Sequence, residues 1–98
     1  MTIAAFRVGI DVSKAFLDVF EAPSQTASRI PNTEAAIDRL LASLPPHATV
    51  VFEATAPYDT TLRKALARTG LRTLRVNPAR ARAAGFLAKL ALRLDPRD

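Results

Sequence analysis

VGIDVSKAFLDVF, residues 8–20, contains two apolar segments with almost no spacer between them. Apolar residues recur at every second position in the first segment, which is the period of a strand with one buried face. Because the second segment resumes within a few residues, the chain must reverse its direction there. The stretch therefore predicts an antiparallel β-hairpin that turns at Ser13 and Lys14.

Asp11 stands out in the first strand because it is charged and lies at the end of an apolar segment. Strand interiors rarely hold a carboxylate without a partner, because removing its charge from water costs free energy. Two interpretations are open at this point. Asp11 either begins the turn of the hairpin or takes part in chemistry.

Helix and strand signals alternate beyond the hairpin. A short extended segment at residues 28–30 precedes a helix that is predicted to begin at a cap formed by Asn32 or Thr33 and to run to Leu44. The β-branched segment ATVVFEAT, residues 48–55, then predicts a buried strand.

A second helix is predicted to begin close to Pro57, to carry Tyr58 on its inner face and to end at a cap formed by Gly70. The segment LRTLRVN, residues 71–77, predicts another strand, and Pro78 predicts the start of a third helix. The predicted order is βββαβαβα. Such an order indicates an α/β fold in which helices pack on a mixed sheet.

Length and composition limit the classes of protein that the chain can represent. Its 98 residues with 49% hydrophobic content support one small core, so we expect one domain or a piece of a larger protein. Cysteine is absent and His47 is the single histidine, which excludes disulfides, thiolate metal sites and histidine metal clusters. No apolar run approaches the roughly 20 residues of a membrane span, and the start lacks the features of a signal peptide. A cytoplasmic protein without a membrane partner is therefore expected.

Basic residues are concentrated in the last third of the chain. Residues 1–62 contain four basic and seven acidic residues, whereas residues 63–98 contain ten basic and two acidic residues. A one-sided basic surface is typical of nucleic-acid-binding proteins, because arginine donors match phosphate oxygens. The residues expected to contact nucleic acid are Arg75, Arg80, Arg82, Lys89 and Arg93. The alternative is a solvated basic face without a partner.

Glu53 stands near the end of its predicted strand, as Asp11 does. If the intervening helix brings the two strands side by side and parallel, both carboxylates lie at one sheet edge, on strands roughly 4.8 Å apart. Carboxylates so close repel each other unless a cation neutralises them, and oxygen ligands suit Mg²⁺. The pair thus predicts a Mg²⁺ site for phosphoryl transfer on nucleic acid. The alternative for Glu53 is a residue that stabilises the start of the second helix.

Three motifs in this order resemble the N-terminal domain of the IS-one-ten-family transposases, relatives of the piv-type DNA invertases. They are VGIDVSKAFLDVF (8–20), VVFEATAPY (50–58) and LRVNPARAR (74–82). The resemblance covers roughly residues 6–82. It implies a RuvC-like, ribonuclease-H-like domain with acidic residues in the order Asp, Glu, Asp, Asp. Asp11 then matches the first and Glu53 the second, with Mg²⁺ and DNA as partners.

The last part of the chain departs from the pattern of that family. Ala56 stands where family members usually have glycine, and the segment after LRVNPARAR is shorter than theirs. One alignment makes Asp95 the fourth acidic residue and leaves the third absent. The rival alignment matches both Asp95 and Asp98, although a proline between them interrupts the helix that would present them. We therefore expect a RuvC-like domain over residues 1–82 and a divergent, truncated basic tail over residues 83–98.

The resemblance implies DNA transposition, with this chain as a fragment that is inactive alone and that uses Asp11, Glu53 and Asp95 as its catalytic and metal-binding residues. It also implies an element-encoded RNA, a second copy or a full-length transposase as further partners. One alternative is a module that binds nucleic acid or a transposase without chemistry. Another is a fragment of an actin-like kinase or ATPase. Such sites usually have a glycine and a serine or threonine after the aspartate, whereas Val12, Ser13 and Lys14 follow Asp11 here, and this interpretation leaves Glu53 and the VNP motif unexplained.

Overall fold

The computed structural model describes residues 5–53 and 55–76. Within these residues the chain forms strands and helices in the order βββαβαβ. They are β1 (Arg7–Val12), β2 (Phe16–Ala22), β3 (Thr26–Pro31), α1 (Glu34–Ala42), β4 (Thr49–Glu53), α2 (Thr60–Ala67) and β5 (Arg72–Val76). This order confirms the predicted succession up to the last strand. The predicted third helix, which starts at Pro78, lies outside the described residues.

The hairpin predicted at the start of the chain is present between β1 and β2. The two strands are antiparallel, and the last pair before the turn joins Val12 to Leu17. The Ser13 N–H donates to the carbonyl oxygen of Phe16 at 2.9 Å, and the Ser13 hydroxyl donates to the same oxygen at 2.8 Å. These bonds close the turn around Lys14, which confirms the prediction.

The five strands form one mixed sheet with the order β3-β2-β1-β4-β5. The first three strands are antiparallel neighbours, whereas β4 is parallel to β1 and β5 is parallel to β4. Parallel neighbours require a crossover connection, which α1 supplies before β4 and α2 supplies before β5. The fold is therefore α/β, with a five-stranded mixed sheet and two described helices.

The hydrophobic core lies between one face of the sheet and the two helices. Alternate residues of the central strands, such as Ile10 and Phe52, are at most 2% exposed and point to this face. Ile37 of α1 and Leu62 of α2 are fully buried in the same cluster. Because side chains alternate along a strand, the residues between the core positions point to the opposite face of the sheet.

The helix boundaries differ from the prediction. Helix α1 has Thr33 as its N-cap and ends at Ala42, so Leu44 packs in the core from beyond the helix. Helix α2 begins at Thr60, and Tyr58 precedes it with 41% of its surface exposed. The placement of Tyr58 on an inner helix face was therefore wrong.

The late start of α2 has a physical reason in the hydrogen bonds of the preceding turn. The Asp59 N–H donates to the Thr55 carbonyl, four residues back, at 3.1 Å, but the Thr60 N–H donates to the Pro57 carbonyl, only three residues back, at 3.2 Å. The helical pattern then continues from the bond of Arg63 to the Asp59 carbonyl at 2.9 Å. At the other end, Arg68 is the C-cap, so Gly70 does not form the predicted cap. Within the described part of the chain, neither helix is long and apolar enough to cross a membrane.

Candidate functional site

Asp11 and Glu53 lie at the same edge of the sheet, on neighbouring parallel strands. The register of β1 and β4 pairs Ile10 with Phe52. Asp11 follows Ile10 on β1, and Glu53 follows Phe52 on β4. Since Ile10 and Phe52 point into the core, the next residues point to the opposite face. Asp11 is exposed and Glu53 is half-buried. The predicted juxtaposition of these two residues at one edge is consistent with this register.

Asp18 is a third carboxylate on the same face, and the sequence interpretation missed it. It is the direct partner of Asp11 in the antiparallel pairing of β1 and β2. Opposed residues of an antiparallel pair project from the same side, so like charges there repel each other. Only the register shows that these two aspartates are opposite each other, because several registers are compatible with a hairpin of this length.

Arg29 neutralises Asp18 from the next strand. Its Nε donates to one carboxylate oxygen at 2.8 Å and its Nη2 donates to the other at 3.3 Å. Its guanidinium carbon also lies 5.2 Å from the centre of the Phe16 ring. Hydrogen bonding by Arg29 lowers the pKa of Asp18; slight burial opposes this effect and the charge of Arg29 adds to it. The pair therefore compensates the charge of Asp18 beside Asp11.

The side chains at this edge of the sheet present carboxylate oxygens on neighbouring strands. We use the name acidic row for Asp18, Asp11 and Glu53, which follow one another across β2, β1 and β4. Arg29 on β3 lies next to Asp18 at the end of this row. Mg²⁺ is usually bound by one or two protein carboxylates together with water and substrate phosphate. Asp11 and Glu53 fit such a minimal site. No cluster of three or more acidic, histidine or cysteine residues able to hold a metal occurs within residues 5–53 and 55–76, and Asp95 lies outside them.

Asn32 connects the loops at this edge of the sheet. Its Nδ2 donates to the Ser13 carbonyl and to the Tyr58 carbonyl, each at 2.9 Å. Asn32, which lies between β3 and α1, therefore connects the turn after β1 with the loop after β4. Of the two helix caps that the sequence predicts, Asn32 and Thr33, the structure has Thr33, whose hydroxyl accepts the Ala36 N–H at 3.2 Å.

The predicted nucleic-acid contacts fall mostly beyond the described residues. Arg75 lies on β5, whereas the other four, Arg80, Arg82, Lys89 and Arg93, lie outside the described ranges. Arg75 points to the helix-covered face, where its Nη2 is 3.5 Å from a carboxylate oxygen of Asp59. Asp59 is fully buried and also lies 3.4 Å from Arg63. A buried carboxylate with two arginines was not predicted from the sequence.

Comparison with known proteins adds no family to this geometry. The chain matches no protein-family model and no curated protein. The resemblance to transposases therefore stays a prediction based on the three sequence motifs.

Proposed function

We propose that this chain is a ribonuclease-H-like domain, a fragment of a DNA transposase whose family cuts and joins DNA with a metal ion. The observation that carries the proposal is the position of Asp11 and Glu53 at one edge of neighbouring parallel strands. The order of three antiparallel strands followed by alternating helices and strands supports the fold assignment. The sequence motifs around the same two residues support the family.

Asp11 and Glu53 would hold Mg²⁺ in this proposal. A metal ion at such a site activates the attacking nucleophile and stabilises the leaving oxygen in phosphoryl transfer. Their position at the ends of neighbouring parallel strands makes these two carboxylates the candidate ligands, and Asp18 beside them pairs with Arg29. Two protein ligands hold a metal weakly, and the rate depends on a complete, preorganised set. We therefore propose that the chain is inactive alone, with Asp95 as a further ligand in the segment beyond the described residues.

Titration with Mn²⁺, followed by paramagnetic broadening of NMR amide signals, tests the metal site. We expect broadening centred on the ends of β1 and β4 in the wild type, and its loss in Asp11→Asn and in Glu53→Gln. Asp38→Asn is the matched control, because Asp38 is an exposed carboxylate on α1 that pairs with Arg68 at 3.2 Å. Equal broadening in the wild type and Asp11→Asn would remove Asp11 from the site.

A second candidate function is nucleic-acid binding without chemistry, with DNA or an element-encoded RNA as the partner. The basic residues of the segment that contains α2 and β5 favour this function. Residues 59–76 contain five basic residues and one acidic residue, Asp59. Two results together would support this function over the enzymatic one. Nucleic-acid binding should depend on salt and remain unchanged in Asp11→Asn, and the wild type should show no Mn²⁺ broadening.

A further inference from the structure

A pocket of about 430 Å³ lies between α2 and β5, on the helix-covered face of the sheet. Its lining includes the apolar residues Phe52, Leu66 and Leu71 and the charged residues Arg63 and Arg75. Its volume falls within the range of small-ligand clefts, and the pocket is open to solvent. The pocket lies on the face of the sheet opposite to the acidic row.

The two arginines are held beside each other by Asp59. This carboxylate has no exposed surface, whereas the Arg63 and Arg75 side chains are 42% and 48% exposed. Neither oxygen of Asp59 accepts a hydrogen bond from any residue that the structure describes, and one nitrogen of each guanidinium lies at ion-pair distance from it. The three groups together carry a net positive charge, with the negative one buried and the positive ones facing solvent.

The arginines keep donor capacity for a ligand. A guanidinium has five N–H donors, and neither arginine forms a hydrogen bond with Asp59, from which their nearest nitrogens lie 3.4 Å and 3.5 Å away. The threonine hydroxyls of the pocket are already used as donors within the protein: Thr69 donates to the Leu66 carbonyl at 2.8 Å and Thr73 donates to the Leu71 carbonyl at 3.3 Å. A ligand in the pocket therefore meets N–H donors from the two arginines and the apolar side chains of the lining.

We propose that this pocket binds the phosphate of a nucleotide through Arg63 and Arg75, and that the apolar lining residues contact the attached sugar and base. Paired guanidiniums match phosphate oxygens with several hydrogen bonds at once, and Asp59 restricts the arginines to neighbouring positions before the ligand arrives. The positive charge of α2 and β5 complements a phosphate. The nucleotide is either free or part of a nucleic-acid strand, since both present the same chemistry.

Calorimetry and amide NMR on the whole chain, in EDTA to exclude metal ions, test the proposal. The probes are deoxyadenosine 5′-monophosphate, deoxyadenosine as the match without phosphate, and a short deoxyadenosine strand. We expect the monophosphate to shift the amide signals of Thr73 and Arg75 and to bind about tenfold or more tightly than the nucleoside. Tighter binding of the strand at the same signals identifies nucleic acid as the source, and tighter binding of the monophosphate identifies a free nucleotide.

Substitutions then test the roles of the three charged residues. Arg63→Gln and Arg75→Gln should each weaken binding about ten- to a hundredfold, because a charge-assisted hydrogen bond is lost. Arg72→Gln is the matched control: it removes the same charge from the same strand, but Arg72 faces the other side of the sheet. Asp59→Asn should also weaken binding, although it raises the local positive charge, because the arginines lose their anchor.

Several outcomes would overturn the proposal. They are equal weakening by Arg72→Gln, tighter binding by Asp59→Asn, signal shifts confined to residues outside the pocket, and binding of deoxyadenosine as tight as that of its monophosphate. Asp11→Asn should leave this binding unchanged. Failure of the pocket is therefore distinguishable from failure of the metal site, which is tested by Mn²⁺ at the opposite face.

Discussion

Asp11 and Asp18 are direct partners across β1 and β2, and Arg29 on the neighbouring strand holds the Asp18 carboxylate with two hydrogen bonds. Like charges opposed in this way destabilise a sheet. Arg29 offsets the repulsion because it lies opposite Asp18 in the pairing of β2 and β3. Because Arg29 compensates the charge of Asp18, the repulsion between Asp18 and Asp11 on the hairpin is reduced.

Replacement of Arg29 by Gln is expected to raise the pKa of Asp18 toward its ordinary value of 3.8, because the hydrogen bonds that lower it are lost. NMR titration of the aspartate carboxyl carbon measures this change. Arg68→Gln serves as the control, since Arg68 pairs with Asp38 on the helices. An unchanged Asp18 pKa in Arg29→Gln would contradict the assignment.

The same pair predicts a pH dependence of stability. A carboxyl group whose pKa is lowered by folding stabilises the folded state above its unfolded pKa, near 3.8, and loses this contribution as the pH falls through the lowered value. The wild type should therefore exceed Arg29→Gln in free energy of unfolding at neutral pH, and the difference should shrink as the pH falls below 3.8. Urea unfolding at a series of pH values measures it. A difference that grows toward low pH would have the wrong sign.

Asn32→Ala should lower the free energy of unfolding by about 1–3 kcal/mol, because two backbone carbonyls lose a donor. Amide hydrogen exchange at Ser13 should become faster, since the turn after β1 loses a connection to Asn32. Ser24→Ala is the control, as the Ser24 hydroxyl forms an exposed bond of 3.4 Å to the Glu21 carbonyl. Equal effects of the two variants would show that Asn32 does not join the loops.

Thr33→Ala should destabilise the chain by about 0.5–2 kcal/mol, because the Ala36 N–H at the start of α1 loses its side-chain acceptor. Thr33→Ser keeps the hydroxyl and should retain most of the wild-type stability. Thermal unfolding followed by circular dichroism compares the three proteins. Serine that destabilises as much as alanine would indicate that the methyl group, rather than the cap, matters.

Ile10→Val should cost about 0.5–1.5 kcal/mol, because Ile10 is fully buried in the central strand and the lost methylene leaves a gap. Ile30→Val removes the same group from the edge strand β3, where Ile30 is partly buried, and should cost less. Urea unfolding measures both. The reverse order would place the centre of the core near β3.

The sequence predicted the order of strands and helices along the chain, because alternation and helical spacing are local patterns. It predicted the Asp11–Glu53 juxtaposition on the condition that their strands are parallel neighbours, and the register of β1 and β4 meets this condition. It did not predict Tyr58 correctly, since the turn before α2 is closed by backbone hydrogen bonds that leave no signal in residue periodicity. It also missed Asp59, whose burial depends on Arg63 and Arg75 meeting from a helix and a strand.

Sequence alone determined the order of the strands and helices along the chain, and the places of Asp11 and Glu53 near the ends of their strands. Those properties follow from the chemistry of consecutive residues and from the requirement that apolar faces be buried. Only the tertiary structure decided that Asp18 lies opposite Asp11, that Arg29 pairs with it and that Asp59 holds two arginines. These relationships depend on strand register and on contacts between distant segments, which are set by the packing of the whole sheet against its helices.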